Sequence, residues 1–381
     1  MTTHQSSGSA RVSIGPLSLK HVRACLVATL FICSILFYEF GFFGRPLRVD
    51  FGSLAYGAFA HPVYFFMLGG SLVAHTSAWG LDQSITPLLL LTPFLSFSFG
   101  RTLKRYSNEK LTNSCFLVIS MLSIAQIVAG DRLIPFYKAG TNNQLVFSGL
   151  SSEPSFSAEI LFALMLIGFC GKSKRIAFLQ AVFLGVFFAA TGINTALQNL
   201  LVIACCSIIC FFDPRPRFLV PLTCALFPFL LILVFPDHAI TAGNYCVTEF
   251  GSWRQLGNIL AITEAGLTFN SFGDYQAVVG EALVRKSDSR YEAWFSSAFS
   301  WFPFTINAIG KIGATLYICF AAVFLRRVWH SPYLIRVSAL SCIILFLYTS
   351  PKWLMLYVVA LGFAYQSGAL AQEHRGGPHT N

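Results

Sequence analysis

The stretch GLSSEPSFSAEILFALMLIGFC, residues 149–170, decides how this chain is read. It opens on a polar segment, Gly149 to Ser155, and from Pro154 runs on as an apolar stretch. A bilayer crossing takes about 17–25 mostly apolar residues, and this run reaches the lower bound. A carboxylate and several hydroxyls held at the rim of a bilayer are costly, so such groups mark functional positions by default. Pro154 also suits a first helical turn, where its missing N–H costs nothing. Ser and Glu suit the same place through capping and the helix dipole. On local chemistry alone, Glu153-Pro154 is therefore equally a well-formed helix start. Glu159 is different. Ser152, Ser155 and Glu159 are spaced i, i+3, i+7 and share one helix face. Glu159 lies about 9 Å further along the axis than Glu153. A carboxylate at that depth needs a partner or a wet cavity, which predicts a polar cleft.

The rest of the chain repeats the apolar pattern. It has 381 residues, 55% hydrophobic and 11% charged, against roughly 25% charged in a soluble domain. Apolar runs fall at about 22–44, 54–79, 85–100, 111–129, 154–170, 176–192, 195–212, 217–236, 297–325, 333–350 and 352–370. The expected fold is all-α: a polytopic integral membrane helical bundle of about ten or eleven transmembrane helices with one long external loop. Residues 1–20 read as a disordered, Ser/Thr-rich tail, 21–370 as a single transmembrane domain, and 371–381 as a cytoplasmic tail. The third run is short and interrupted by Pro93, which predicts a broken or re-entrant helix. If 54–100 contributes only one crossing, the total falls to ten.

Loop charges set the orientation. Arg101, Lys104, Arg105 and Lys110 fill one loop, Lys172, Lys174 and Arg175 another, followed by Arg215 with Arg217 and Arg326 with Arg327. Even numbers of runs separate these loops, so all fall on one side, and the positive-inside rule makes that side cytoplasmic. The net charge of +10 is read through this topology and not as a nucleic-acid footprint. Segment 130–153 and the long stretch of about 237–296 then both face outward. Loops of that length are uncommon without a function. Of the eleven cysteines, all but Cys246 lie in or beside apolar runs, where they act as small hydrophobes. No disulfide framework and no metal-ligand spacing is present.

The long loop carries the other candidates. Arg254, in Gly251-Ser252-Trp253-Arg254, is a fixed cation suited to bidentate phosphate contact, or to lipid headgroups at the interface. Arg285, Lys286 and Arg290 form a second basic cluster, with Asp288 and Glu292 near enough to pair with them. Arg132 and Lys138 precede the opening motif and could reach an anionic ligand or serve as rim charges. His238 could act as a base or be structural. Asn194 and Gln198, at i and i+4, read as a polar stripe that joins helices. Trp253, Phe269, Tyr275, Tyr291, Trp294 and Trp301 suit sugar stacking or interfacial anchoring equally.

Gly149-Leu150-Ser151-Ser152-Glu153-Pro154-Ser155 ahead of a span resembles the motif of the O-antigen and exopolysaccharide repeat-unit polymerases (Wzy-type), which are related to O-antigen ligases. Ser252 and Arg254, then Asn270-Ser271-Phe272-Gly273, follow in the order that family shows. Asn307 through Gly310 and Gly313 are similar to its closing part. Relatives often carry an Arg shortly before the Gly-Leu pair, where this chain has Gln144, Val146 and Phe147.

The resemblance implies a glycosyltransferase that moves a growing glycan from a polyprenyl diphosphate carrier onto a lipid-linked repeat unit. It further implies the bacterial inner membrane, with the active site facing the periplasm. The partners it implies are polyprenyl-diphosphate-linked oligosaccharide, membrane lipids and a chain-length regulator, with no nucleic acid and no cofactor. In that reading Glu153 is the base, with Glu159 or His238 in its place as the alternatives. Arg254, helped by Arg290, Arg285 or Lys286, steadies the leaving diphosphate, while Arg132, Lys138, Ser152 and Ser155 contact substrate. A ligase acting on a different acceptor would share this architecture. A transporter or flippase of lipid-linked oligosaccharide is the alternative of another class, against which stand the lack of an internal repeat and the single long loop.

Overall fold

The computed structural model describes residues 19–36, 39–42, 45–48, 50–63, 81–107, 109–129, 154–191, 194–212, 301, 310–312, 315, 319, 323–349 and 355–375. These form an α-helical bundle with one small hairpin. The helices are α1 (Leu19–Leu36), α2 (Phe51–Ala60), α3 (Leu81–Tyr106), α4 (Glu109–Ala129), α5 (Pro154–Phe169), α6 (Lys174–Thr191), α7 (Asn194–Phe212), α8 (Tyr333–Ile344) and α9 (Leu356–Arg375). A π-helical turn, Leu345–Thr349, extends α8. Among the described residues two helices, α1 and α6, are long and apolar enough to cross a membrane.

The bundle is organised around α5. No residue from Ser157 to Ile167 is more than 1% exposed, because α4, α6, α7, α8 and α9 all pack against this one helix. A helix that is apolar all round belongs in such a position, and its Leu, Ala and Met content favours the helix itself. Pro154 begins it at the position where proline is harmless. It ends in a turn in which the Cys170 N–H donates to the Ile167 carbonyl and the Gly171 N–H to that of Gly168. The Lys172 N–H then donates to Glu109 Oε1 at 2.8 Å, tying the end of α5 to the start of α4.

Two expectations are corrected, those for the first and third apolar runs, and of the second run only the start is described. The first apolar run does not stay helical to residue 44: α1 stops at Leu36, and Glu39–Phe42 pairs antiparallel with Arg45–Arg48. Gly41, Gly44 and Pro46 are poor helix formers, which accounts for the change. In the second run α2 has only 10 residues, about 15 Å of helix, too short for a crossing. Residues 64–79 lie outside the described residues. The third run is not broken at Pro93: α3 continues for 26 residues, about 39 Å, through both Pro87 and Pro93.

Large apolar side chains face outward on two helices. On α6, Phe178, Leu179, Val182 and Val186 face outward while Gln180 is buried. On α4, Leu117, Met121, Ile124 and Val128 form an exposed stripe while Thr112, Ser120 and Ser123 turn inward. Monomeric soluble proteins rarely leave contiguous apolar faces of this kind. Cys170, Cys206, Cys210 and Cys342 are buried.

Two contacts fix neighbouring helices. Asp50 caps α2, its Oδ1 accepting from the Ser53 N–H at 2.9 Å and from Ser34 Oγ of α1 at 2.7 Å, its Oδ2 from Ser53 Oγ at 2.7 Å. Burial pushes the Asp50 carboxyl above the usual carboxylate range, with these hydrogen bonds pulling the other way. The second contact is the crossing of α3 and α9. A Cβ on Gly100 would run into the Val359 carbonyl, and one on Gly362 into the Phe97 carbonyl. Gly100 thus lies directly against the backbone of Val359, and Gly362 against that of Phe97, so the two helices touch main chain to main chain. Gly362→Ala should therefore lower the melting temperature of the purified protein, although alanine is intrinsically the better helix former by about 1 kcal/mol. An unchanged or raised melting temperature would show that the helices can part at no cost.

Candidate functional site

Buried polar groups near the starts of three helices meet in the bundle. Glu159 stands five residues into α5, Asn199 five into α7, and Tyr357 is the second residue of α9. Each is 0% exposed. The Tyr357 hydroxyl donates to Glu159 Oε2, and Asn199 Nδ2 donates to the Tyr357 oxygen at 3.5 Å. Gln198, also buried, is the next residue along α7. A carboxylate inside a protein is tolerated when it is hydrogen-bonded, and a donor that is itself held by a second donor strengthens the chain of bonds. Close by in sequence, the π-helical turn ends α8, and its Phe346 stacks on the wholly buried Trp301 with ring centroids 5.1 Å apart. Such turns are frequent at functional sites.

The opposite ends of these helices are basic. The Lys172–Glu109 bond joins the end of α5 to the start of α4. Ser338 Oγ of α8 donates to the Leu166 carbonyl at 2.8 Å, and the Tyr333 hydroxyl to the Ser207 carbonyl of α7 at 2.9 Å. These contacts gather the end of α5, the start of α8 and the end of α7 at one pole. Arg101, Lys104, Arg105, Lys110, Lys172, Lys174, Arg175, Arg326, Arg327 and Arg336 belong to that pole, while Glu159, Asn199 and Tyr357 lie toward the other.

Of the candidates read from sequence, Glu159 is placed at the centre of the polar cluster, and Ser155 lies in the first turn of the same helix. Glu153, Ser152, Arg132, Lys138, His238, Arg254, Arg285, Lys286 and Arg290 lie outside the described residues. Asn199 and Tyr357 were not singled out by sequence. The signal for Asn199 was present, an amide inside an apolar run next to Gln198, but the i, i+4 pairing of Asn194 with Gln198 drew attention to another face. Tyr357 carried no such signal, since a tyrosine near the start of a span reads as an interfacial anchor.

No family model matches the chain, and no curated protein or solved structure matches it. The likeness to the polymerase motif therefore stands on the residues that carry it.

Removing a donor from a buried acceptor leaves a desolvated group behind, at a cost of about 1–3 kcal/mol. Tyr357→Phe and Glu159→Gln should each destabilise the protein, and the double variant should fall short of their sum by about 1 kcal/mol or more. Thermal unfolding of all four proteins measures this, and simple additivity would mean the two side chains are not coupled.

Proposed function

We propose that this chain is a multi-pass protein of the bacterial cytoplasmic membrane that polymerises lipid-linked glycan repeat units on the outer face. The observation that carries the reading is the position of α5. The Gly-Leu-Ser-Ser-Glu-Pro-Ser motif leads directly into the helix that the described bundle encloses on every side, and Glu159 of that helix sits at the pole away from the lysines and arginines. Outward-facing phenylalanine, leucine and valine with inward-facing serine, glutamine and asparagine favour lipid as the surrounding solvent.

The reaction makes two demands. The bond between the anomeric carbon of the growing glycan and its phosphate oxygen breaks, and polyprenyl diphosphate departs with the bonding electrons. A hydroxyl of the acceptor repeat unit forms the new bond to that carbon and gives up its proton. Arg254, with Arg290, Arg285 or Lys286, neutralises charge on the departing diphosphate. Glu153 takes the proton. Glu159, enclosed and bonded to Tyr357, is better suited to holding the start of α5 in register than to touching substrate, so it acts as a positioning residue for Glu153.

Deleting the gene should leave single lipid-linked repeat units in the membrane and remove long chains from the surface. Absence of exposed repeat units altogether would indicate a flippase instead. Glu153→Gln and Arg254→Ala should each reduce chain extension by about 100-fold or more, with membrane abundance unchanged, as read from the ladder of chain lengths on a gel. Wild-type ladders from both variants would rule out these assignments.

A further inference from the structure

At the basic pole, the end of α3, the end of α9 and the helical segment 323–328 bring Arg101 and Arg327 onto one tyrosine of an aromatic cluster, with Lys104 over a second ring of α9. Phe97, Phe324 and Tyr365 pack edge to face, with ring centroids 4.7 Å apart for Phe97–Phe324, 5.6 Å for Phe97–Tyr365 and 5.5 Å for Phe324–Tyr365. The Arg101 guanidinium lies over the Tyr365 ring, 5.4 Å from its centroid. Arg327 approaches the same tyrosine from its other end, Nη1 donating to the hydroxyl at 3.1 Å. One turn along α3 from Arg101, Lys104 Nζ sits 4.8 Å from the centroid of Phe363. Gln372 Nε2 donates to the Arg327 carbonyl at 3.2 Å, fixing the segment against α9.

Like charges gathered this closely repel one another. The usual remedy is a carboxylate, yet among the described residues none lies within ion-pair distance of Arg101, Lys104 or Arg327. Glu109 is engaged with the Lys172 N–H, and Glu373 is exposed, two turns beyond Tyr365 on α9. Arg101 Nε is buried and makes no hydrogen bond. Stacking on aromatic rings orients a guanidinium while leaving its N–H groups free for a planar oxyanion.

We propose that Arg101, Lys104 and Arg327 form a binding site for the phosphate of an anionic phospholipid headgroup, with Phe97 and Phe324 as its apolar floor. The site rests on the membrane reading above and not on glycan transfer. Basic pockets between helices on the cytoplasmic side recognise acidic headgroups in this way. A headgroup phosphate supplies the missing negative charge, with the exposed Phe94 and Val323 of the same segments as apolar surface for its acyl chains.

The test uses the full-length protein purified in a neutral detergent, titrated with phosphatidylglycerol, with phosphatidylcholine or with inorganic phosphate, and followed by melting temperature. Phosphatidylglycerol should raise the melting temperature of the wild type saturably, and neither other probe should do so. Arg101→Gln/Arg327→Gln should need at least tenfold more phosphatidylglycerol for the same rise. Arg327→Gln alone, at an exposed side chain, should weaken it in the same direction and guards against misfolding of the double variant. Lys174→Gln/Arg175→Gln, at the same pole, should respond as wild type. Equal responses from all variants would overturn the site in favour of diffuse surface charge. An equal rise with inorganic phosphate would overturn its assignment to lipid. Recovery of the protein in the soluble fraction without detergent would overturn the membrane reading itself, an outcome separate from loss of lipid selectivity.

Discussion

A carboxylate inside a helix with no exposed face constrains everything around it. Unpaired, an ionised Glu159 would cost several kcal/mol even after relaxation. Its hydrogen bond from Tyr357 and the contact of Asn199 with that tyrosine make α5, α7 and α9 interdependent at one end. Apolar surfaces alone slide past one another with little preference, whereas one buried polar contact fixes rotation and register. The start of α5, from Pro154, is oriented by that contact.

At the other pole α8 pins α5 and α7 by bonds to their backbone carbonyls, Ser338 to Leu166 and Tyr333 to Ser207. Close approach of α3 and α9 at Gly100 and Gly362 brings Arg101, Lys104 and the aromatic rings of α9 together. Packing at one crossing thus builds the cationic surface, and a polar contact about two turns away on α9 sets the opposite chemistry.

Much of this was legible in the residues. The helix over 154–169 and the helices beginning near 109, 174 and 194 all follow from runs of apolar residues bounded by Lys, Arg, Gly and Pro. Regions where local and global preferences disagree were harder to read. Pro93 predicts an interruption, but α3 stays helical through it, as helices enclosed by others can when neighbouring groups compensate the lost bond. The first run looks continuous by hydropathy, while Gly41, Gly44 and Pro46 turn it into a hairpin. Within the site, Glu159 stood out because a charge in an apolar run is costly. Its partner Tyr357 did not, because the two lie 198 residues apart in the chain and tyrosine is common near the ends of spans. Asn199 could have been found by asking which amide had the most apolar neighbours.

The two poles of the bundle are the foundation of the functional reading, and their placement across a membrane is directly measurable. In a background whose native cysteines are replaced, Ser151→Cys and Ser173→Cys flank the two ends of α5. A membrane-impermeant maleimide applied to intact cells with a permeable outer layer should label Ser151→Cys at once, and Ser173→Cys only after the inner membrane is opened. Labelling of both positions in intact cells, or of Ser173→Cys alone, would contradict a crossing helix with its Glu-Pro-Ser end outside.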